Sequence, residues 1–266
     1  MAKTISVTNQ KGGVGKTTTT VNLAASMAAT NRRVLLIDLD PQGNATMGSG
    51  VDKRTVEKTT ANVLLGENSV SECTVRDSKG GYDLIAGNEQ LTVAEVHLLD
   101  ANGREFKLRK ALQEVSDDYD YIFIDCPPSL NMLTVNGLVA ANSVIIPTQC
   151  EYYALEGLSA LTQTIERIRM SANPELKIEG LLRTMYDPRN NLANDVSAQL
   201  TSHFGESVYR TIIPRNVTLA EAPSHGLPVL LYDKRSRGAL AYLALAGEML
   251  RRDEGRAAVM TSAMAN

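Results

Sequence analysis

The sequence predicts an α/β protein with a doubly wound, mostly parallel sheet and helices on both faces. Short runs of continuous apolar residues recur along the chain, the pattern of strands that are buried on both faces. Helical stretches separate these runs, and such alternation gives parallel strands joined by right-handed crossovers. A Gly-rich segment lies directly between the first apolar run and the first helical stretch.

The predicted elements follow one another in chain order. The first strand covers 3–8, and an Ala/Leu-rich helix covers 16–29. Further strands are predicted at 32–40, 120–128, 142–149, 177–186 and 206–214. The clearest later helix covers 192–204, where apolar residues recur at a four-residue step before a terminating glycine: Leu192, Val196, Leu200, Phe204 and Gly205. Between 50 and 110 the pattern defines no element boundaries.

Size and composition indicate an ordinary globular protein. A chain of 266 residues suits one large α/β domain, expected at 1–253, with a small-residue tail expected to be flexible at 254–266. The net charge of -3 means that any nucleic-acid contact must use a local patch. The cysteines form neither a disulfide framework nor a C-x-x-C pair, and there is no export signal or run of 18 apolar residues. We therefore expect a cytoplasmic location.

The Gly-rich segment, NQKGGVGKTT at 9–18, nearly matches the phosphate-binding pattern G-x-x-x-x-G-K-[ST]. Gln10 replaces the first glycine, and a second lysine, Lys11, lies inside the loop. The segment follows a buried strand and opens a helix, which is the context that the mechanism requires. The sequence therefore predicts a P-loop NTPase fold.

Each position of this loop has an expected role. Backbone N–H groups should surround phosphate oxygens, with help from the helix dipole, along Gly12, Gly13, Val14 and Gly15. Lys16 should reach the β- and γ-phosphates, and the Thr17 hydroxyl should ligate Mg²⁺. Thr18 is placed to contact the α-phosphate.

Acidic residues end two of the predicted strands, where ligands bind in open α/β sheets. Asp125 ends YIFID and is the candidate that holds Mg²⁺ through water. Asp38 and Asp40 end LLIDLD; Asp38 is assigned to the water shell of the metal, and Asp40, nearer the turn, to orienting the attacking water. The competing interpretation is that these acids only end strands or lie solvated in loops.

The segment KGGVGKTT resembles the deviant Walker A signature, K-G-G-x-G-K-[ST], of the family that contains ParA/Soj partition ATPases, MinD and the nitrogenase iron protein. Five further stretches are similar to the chromosomal ParA/Soj branch: DLDPQGNAT, DCPPSL, PTQCEYYALEGL, IPRNVTLAEAPSHGLP and YDKRSRGA. The similarity runs from residue 3 to about residue 250.

This resemblance implies a role for the extra lysine. In the family, the counterpart of Lys11 reaches across an ATP-bound homodimer to the phosphates of the partner, as an arginine finger does. Gly12 should lie where the two loops approach each other. The implied catalytic residues are then Lys11, Lys16 and Asp40, acting on ATP with Mg²⁺. The resemblance also implies that Pro214 packs on adenine, that Asn216 bonds its edge and that Met185 adds apolar contact.

The resemblance implies three partners for the ATP-bound state: a second copy of the chain, non-specific double-stranded DNA, and a ParB-type centromere-binding protein that stimulates slow hydrolysis at the nucleoid. Arg189 matches a DNA-contacting arginine of Soj-like proteins. The other candidate DNA contacts are Arg215, Lys234, Arg235 and Arg237. Thr218 departs from the family pattern, which has a basic residue there.

Three alternatives stay open from the sequence. A MinD-like membrane ATPase needs a C-terminal amphipathic helix; Leu240, Leu243, Leu245 and Leu250 are expected at core positions instead, so no membrane contact is expected. Metal-cluster chemistry would need Cys126 and Cys150 to face a shared cluster. An ATP-binding scaffold with little turnover is the third. Whether the cargo is a chromosome or a plasmid is not encoded in these motifs.

Overall fold

A computed structural model describes the backbone of residues 1–264 and the side chains of residues 1–255. Its strands are β1 (Lys3–Val7), β2 (Val34–Asp38), β3 (Thr74–Val75), β4 (Asp83–Ile85), β5 (Tyr121–Asp125), β6 (Ser143–Gln149) and β7 (Lys177–Thr184). Within this described part, they form one 7-stranded sheet in the order β3-β4-β2-β5-β1-β6-β7. The β3–β4 pair is antiparallel and the other neighbours are parallel. The predicted mostly parallel sheet is confirmed.

The helices are α1 (Lys16–Ala28), α2 (Asn44–Gly48), α3 (Thr60–Leu65), α4 (Val70–Cys73), α5 (Gln90–Leu99), α6 (Lys107–Leu112), α7 (Met132–Ala140), α8 (Ala154–Ser171), α9 (Asn191–Phe204), α10 (Val217–Glu221), α11 (Val229–Tyr232) and α12 (Arg237–Met264). Helices α1 to α8 lie between strands in sequence, and α9 to α12 follow β7.

Helices cover both faces of the sheet. Successive side chains of a strand point in opposite directions, so each strand contributes to both cores. On β2, Leu36 packs into the core formed with α1 and α12, whereas Leu35 and Ile37 pack into the core formed with α3, α5 and α6. On β5, Phe123 and Ile124 divide between the same two cores. This arrangement explains why the strands appear in the sequence as continuous apolar runs.

The segment 206–214 was predicted as a strand, and that prediction is wrong. In the described structure it meets the β7 side of the sheet through two isolated bridges and not through a ladder. Glu248 of α12 accepts hydrogen bonds from the backbone N–H groups of Arg210 and Thr211, at 2.9 and 2.8 Å. The N–H groups of Tyr209 and Ile213 still donate to carbonyl oxygens of β7, but the Thr211 N–H between them donates to a side chain, so no continuous ladder forms.

The interval 50–110 holds elements that no sequence pattern indicated. β3 and β4 are two and three residues long, too short to display a two-residue alternation. The short helix α3 is defined by its cap: the Thr59 and Asn62 side chains form a reciprocal capping box.

Helix α12 extends past the expected domain boundary at residue 253, since its backbone is helical to Met264. Residues 265–266 of the expected tail lie outside the described residues. The division into 1–253 and 254–266 therefore stays a prediction. Of the leucines expected to pack in the core, Leu245 is fully buried but Leu240 is 55% exposed, so the expectation was wrong for Leu240.

Candidate nucleotide-binding site

The carboxyl ends of three neighbouring strands bring the candidate residues together. Val7, the last residue of β1, pairs in register with Asp125 of β5, and Asp125 pairs with Asp38 of β2. The loop after β1 and both strand-end carboxylates therefore lie at one edge of the sheet, where open α/β sheets bind ligands.

The phosphate loop connects β1 to α1 with a glycine-dependent backbone. Gly13 and Gly15 have φ angles of 73° and 88°, in the left-handed region that favours glycine. The buried Val14 side chain anchors the loop, and the Thr184 hydroxyl donates to the Val14 carbonyl oxygen at 2.8 Å. A side chain at Gly12 would meet no described atom within 4 Å, so nothing in this part of its own chain demands a glycine there.

Asp125 is bound by two hydroxyl groups of α1. The hydroxyl of Thr17 donates to Asp125 Oδ2 at 2.7 Å, and the hydroxyl of Thr20 lies 2.9 Å from Oδ1. The carboxylate is fully buried. Burial raises the pKa of Asp125, and the charge of Asp38 raises it further, whereas the threonine bonds lower it.

Asp38 is enclosed by the segment that follows it. Its Oδ2 accepts hydrogen bonds from the backbone N–H and the hydroxyl of Thr46, at 2.8 and 2.7 Å, and its Oδ1 accepts one from the Asp40 N–H at 3.2 Å. Burial raises the pKa of Asp38, and the Thr46 bonds act in the opposite direction. Asp38 is 0% exposed, and its described contacts tie α2 to the backbone of Asp40.

Asp40 is placed differently from the two strand-end acids. One of its oxygens accepts a hydrogen bond from the Gln42 N–H at 2.9 Å. The other oxygen accepts no hydrogen bond from the described residues. Asp40, which is 8% exposed, therefore keeps one acceptor oxygen without a protein donor in the described structure, and its role in orienting water stays a prediction.

The two loop lysines have separate environments. Lys16 is buried, and its ammonium donates to the backbone oxygen of Lys11 at 3.2 Å. Burial lowers the pKa of Lys16, although Asp125 and Asp40 oppose that shift. The ammonium of Lys11 lies at the surface, 2.5 Å from Glu151 Oε2. Lys16 thus serves its own loop, while Lys11 is held by an exposed ion pair.

The donor set at the loop suits Mg²⁺, which prefers hard oxygen ligands such as hydroxyl and carboxylate groups. Thr17 and Asp125 present these oxygens 2.7 Å apart. A cation beside them would also offset the repulsion between the buried carboxylates of Asp125 and Asp38. In the described part of the chain, no three His, Cys, Asp or Glu side chains group as metal ligands, so a metal here would take other ligands as well.

The residues expected to contact the base lie at the far end of the loop. Gly15 adjoins Thr184 at the end of β7, and Met185 follows with a φ angle of 49°, unusual for a residue with a side chain. The next residue bridges to Pro214. The side-chain oxygen of Asn216 is buried beside Gly238 and lacks a hydrogen-bond partner in the described structure, and its contact with the base stays a prediction. Thr18 is half-buried in the first turn of α1.

The candidate DNA contacts are exposed, as the prediction requires. Arg189 is 87% exposed and forms a double hydrogen bond with Asp187, at 2.9 and 2.7 Å. The exposed residues also include Arg215, Lys234, Arg235 and Arg237. Arg215 and Arg237 lie near each other in the fold, because Asn216 and Gly238, their chain neighbours, approach closely.

Comparison with known proteins places this site in a family. The AAA domain family matches residues 2–178. The chain is 51% identical to sporulation initiation inhibitor protein Soj of Bacillus subtilis over 94% of this chain and 98% of that one. It is 48% identical to chromosome partitioning protein ParA of Caulobacter vibrioides over 96% of this chain and 97% of that one. The chain belongs to the ParA/Soj family of chromosome-partitioning ATPases.

Solved structures agree with this membership. Cobyrinic acid a,c-diamide synthase from Mycobacterium smegmatis, with a bound ATP analog and magnesium, has a TM-score of 0.84 and 38% identity, over 96% of both chains. The septum site-determining protein MinD of Pyrococcus horikoshii, complexed with Mg-ADP, has a TM-score of 0.76 and 25% identity, over 93% of this chain and 96% of that chain. The expected P-loop NTPase fold is confirmed, and nucleotide with magnesium is the ligand pair of both neighbours.

Several residues of the site were not found from the family motifs. Thr46 and Thr184 bond Asp38 and the loop, and Glu151 holds Lys11. Thr20 had a usable signal, since it lies three residues after Thr17 and therefore on the same face of α1. Thr46 lies eight residues after Asp38, at the end of the segment DLDPQGNAT, but that segment gave no sign of the bond. Thr184 and Glu151 are distant in sequence from the groups they bind, so only the fold brings them there.

The membrane alternative concerns the helices. Over the described residues, the structure contains no helix whose length and apolar character would let it span a bilayer.

Proposed function

We propose that this protein is a switch ATPase that dimerises around ATP and Mg²⁺, binds double-stranded DNA non-specifically in that state, and segregates a chromosome or plasmid with a ParB-type partner in the cytoplasm at the nucleoid. The observation that carries the proposal is the difference between the two loop lysines. Lys16 is buried against its own phosphate loop, whereas the Lys11 side chain extends from that loop to the surface in an exposed ion pair.

Within one protomer, the loop binds the nucleotide. Backbone N–H groups around Gly13 and Gly15 and the ammonium of Lys16 bind phosphate oxygens. Thr17 and Asp125 would hold Mg²⁺, Asp125 through water, and the ion would supply positive charge to the phosphates. Asn216 and Pro214 contact the base, with Met185 beside them.

Hydrolysis is an in-line attack of water on the γ-phosphorus. Asp40 accepts a hydrogen bond from that water and orients it, through the carboxylate oxygen that makes no recorded protein contact. The P–O bond to the β-phosphate breaks, and ADP and inorganic phosphate leave. Asp38 supports this geometry through its bond to the Asp40 N–H. Its enclosure by Thr46 favours this role over the originally predicted one in the metal's water shell.

The second lysine makes the reaction depend on a partner. Lys11 gives up Glu151 and contacts the phosphates bound by the other protomer, where a cation stabilises the charge of the transferring phosphoryl group. The open space at Gly12 accommodates the approach of the second loop. Hydrolysis is slow until the ParB-type protein binds. Hydrolysis then dissociates the dimer.

DNA binding follows from dimerisation. Arg189, Arg215 and the basic residues at 234, 235 and 237 are exposed on each protomer. Phosphate contacts by such side chains are additive and salt-dependent. A patch that binds weakly in one protomer therefore binds usefully when it is doubled.

The test measures binding to non-specific duplex DNA with ATP, ADP or no nucleotide, at low and high salt. Tight binding in the ATP state alone, weakening steeply with salt, is the expected result. Equal and negligible binding in all states contradicts the DNA part of the proposal. Vesicle binding would then test the membrane alternative, and ATP retention without turnover would indicate the scaffold alternative.

A further inference from the structure

Thr20 is a buried polar residue beside the metal site to which the proposed steps assign no role. It is 0% exposed and lies in the second turn of α1. Its hydroxyl is 2.9 Å from Asp125 Oδ1 and 3.0 Å from the backbone oxygen of Lys16. A hydroxyl has a single proton to donate, and an ionised Asp125, the form that can ligate a metal, accepts a bond about twice as strong as a neutral carbonyl does. The proton therefore goes to Asp125.

This bond changes what Asp125 can do. With Thr17 donating to Oδ2 and Thr20 donating to Oδ1, both carboxylate oxygens are held from the same helix. The terminal torsion of an aspartate is otherwise broad, so the carboxyl plane could rotate. Rotation would turn Oδ2 away from the Thr17 hydroxyl and separate the two oxygens that suit Mg²⁺. It would also leave a buried oxygen without its donor, near the charge of Asp38.

We propose that Thr20 is a positioning residue for Mg²⁺, which acts by fixing the carboxylate plane of Asp125. The inference rests on the proposed binding of ATP with Mg²⁺ and adds a residue to it. Thr20 touches Asp125 and the helix backbone in the described structure, so its effect on the metal is indirect. Its loss should raise the Mg²⁺ concentration that ATP binding requires and leave metal-free nucleotide binding unchanged.

The chain offers a matched control on the same helix. Thr19 is also 0% exposed, but its hydroxyl pairs with the Tyr242 hydroxyl at 3.2 Å and not with Asp125. Thr19→Val therefore makes the same chemical change one residue away. Thr20→Ser keeps the hydroxyl and should behave as the wild type does. Thr20→Ala removes the hydroxyl without putting a methyl group in its place, as Thr20→Val does.

The experiment titrates free Mg²⁺ against the binding of a fluorescent ATP analogue to the full chain, with parallel binding in EDTA and thermal melts. Losing a hydrogen bond to a charged group corresponds to about a tenfold change at the lower end of its range. Thr20→Val and Thr20→Ala should therefore raise the Mg²⁺ concentration for half-maximal binding about tenfold. Thr20→Ser and Thr19→Val should stay near the wild-type value, and binding in EDTA should be equal in all variants.

Two results would overturn the inference. One is the same Mg²⁺ requirement in Thr20→Ala as in the wild type. The other is an equal loss of binding in EDTA, which would mean that Thr20 supports the loop and not the metal site. Failure of the proposed function is distinguishable, because the wild-type chain itself would then show no Mg²⁺-dependent ATP binding.

Discussion

The buried and exposed charges of this protein are held in opposite ways. Asp125 and Asp38 are fully buried, and threonine side chains of their own chain occupy their oxygens. Lys11 and Arg189 are exposed, each paired with one acid. A buried charge that loses its partner is strongly destabilised, whereas an exposed ion pair contributes about 0–1 kcal/mol. The buried carboxylates therefore depend on their partners for stability, whereas the exposed side chains can exchange their partner for a ligand at little cost.

Asp40→Ala should cause the largest change in hydrolysis, because it removes the carboxylate oxygen that has no protein donor and is proposed to orient water. Hydrolysis should fall by about 100- to 10,000-fold, the usual range for a positioned acid–base group. ATP binding should persist, since Asp40 does not hold the phosphates. Single-turnover hydrolysis and nucleotide binding measured on the same preparation check both parts. Unchanged turnover would remove Asp40 from the catalytic set.

Lys16→Gln should be next in effect. It removes the buried cation from the phosphate loop, and a lost charged hydrogen bond weakens affinity by about 10- to 100-fold. Calorimetric titration with ATP measures the change. Lys58→Gln, which breaks an exposed pair with Glu72, is the control and should bind ATP normally. Equal affinities would show that Lys16 does not contact phosphate.

Thr46→Val should lower the free energy of unfolding and leave the exposed ion pairs unchanged. Asp38 would lose the hydroxyl donor while its carboxylate stays buried, at a cost of about 1–3 kcal/mol in the free energy of unfolding. Chemical denaturation without nucleotide measures it. Thr55→Val is the control, since Thr55 is exposed and bonds only a backbone oxygen in the described structure. Equal losses for both variants would contradict the comparison of buried and exposed groups.

Arg189→Ala should have the smallest effect on the fold and a specific one on DNA. The free energy of unfolding should hardly change, because solvent screens the exposed ion pair. The slope of log affinity against log salt should fall by about 1. Arg54 donates the same pair of hydrogen bonds to Asp52, at 2.9 and 2.8 Å, so Arg54→Ala is a control of equal geometry. If both variants changed DNA binding equally, Arg189 would have no special position.

The fold was largely predictable because β1, β2, β5, β6 and β7 are 5 to 8 residues long and mostly buried. The prediction failed where an element depends on distant residues. Segment 206–214 has the apolar pattern of a strand, but Glu248 accepts hydrogen bonds from the backbone N–H groups of Arg210 and Thr211. β3 and β4 are too short to give a periodic signal. Leu240 is exposed although its neighbour pattern suits a core helix.

The sequence by itself determined the phosphate loop, since its glycines, Lys16 and Thr17 are contiguous and their roles follow from local backbone geometry. It also placed Asp125 and Asp38 at strand ends. Only the tertiary structure decided what holds those carboxylates. Thr46, Thr20 and Glu151 act through contacts between separate elements, and such contacts depend on how the strands are ordered in the sheet. Local patterns specify which groups a site contains, whereas packing specifies which of them meet.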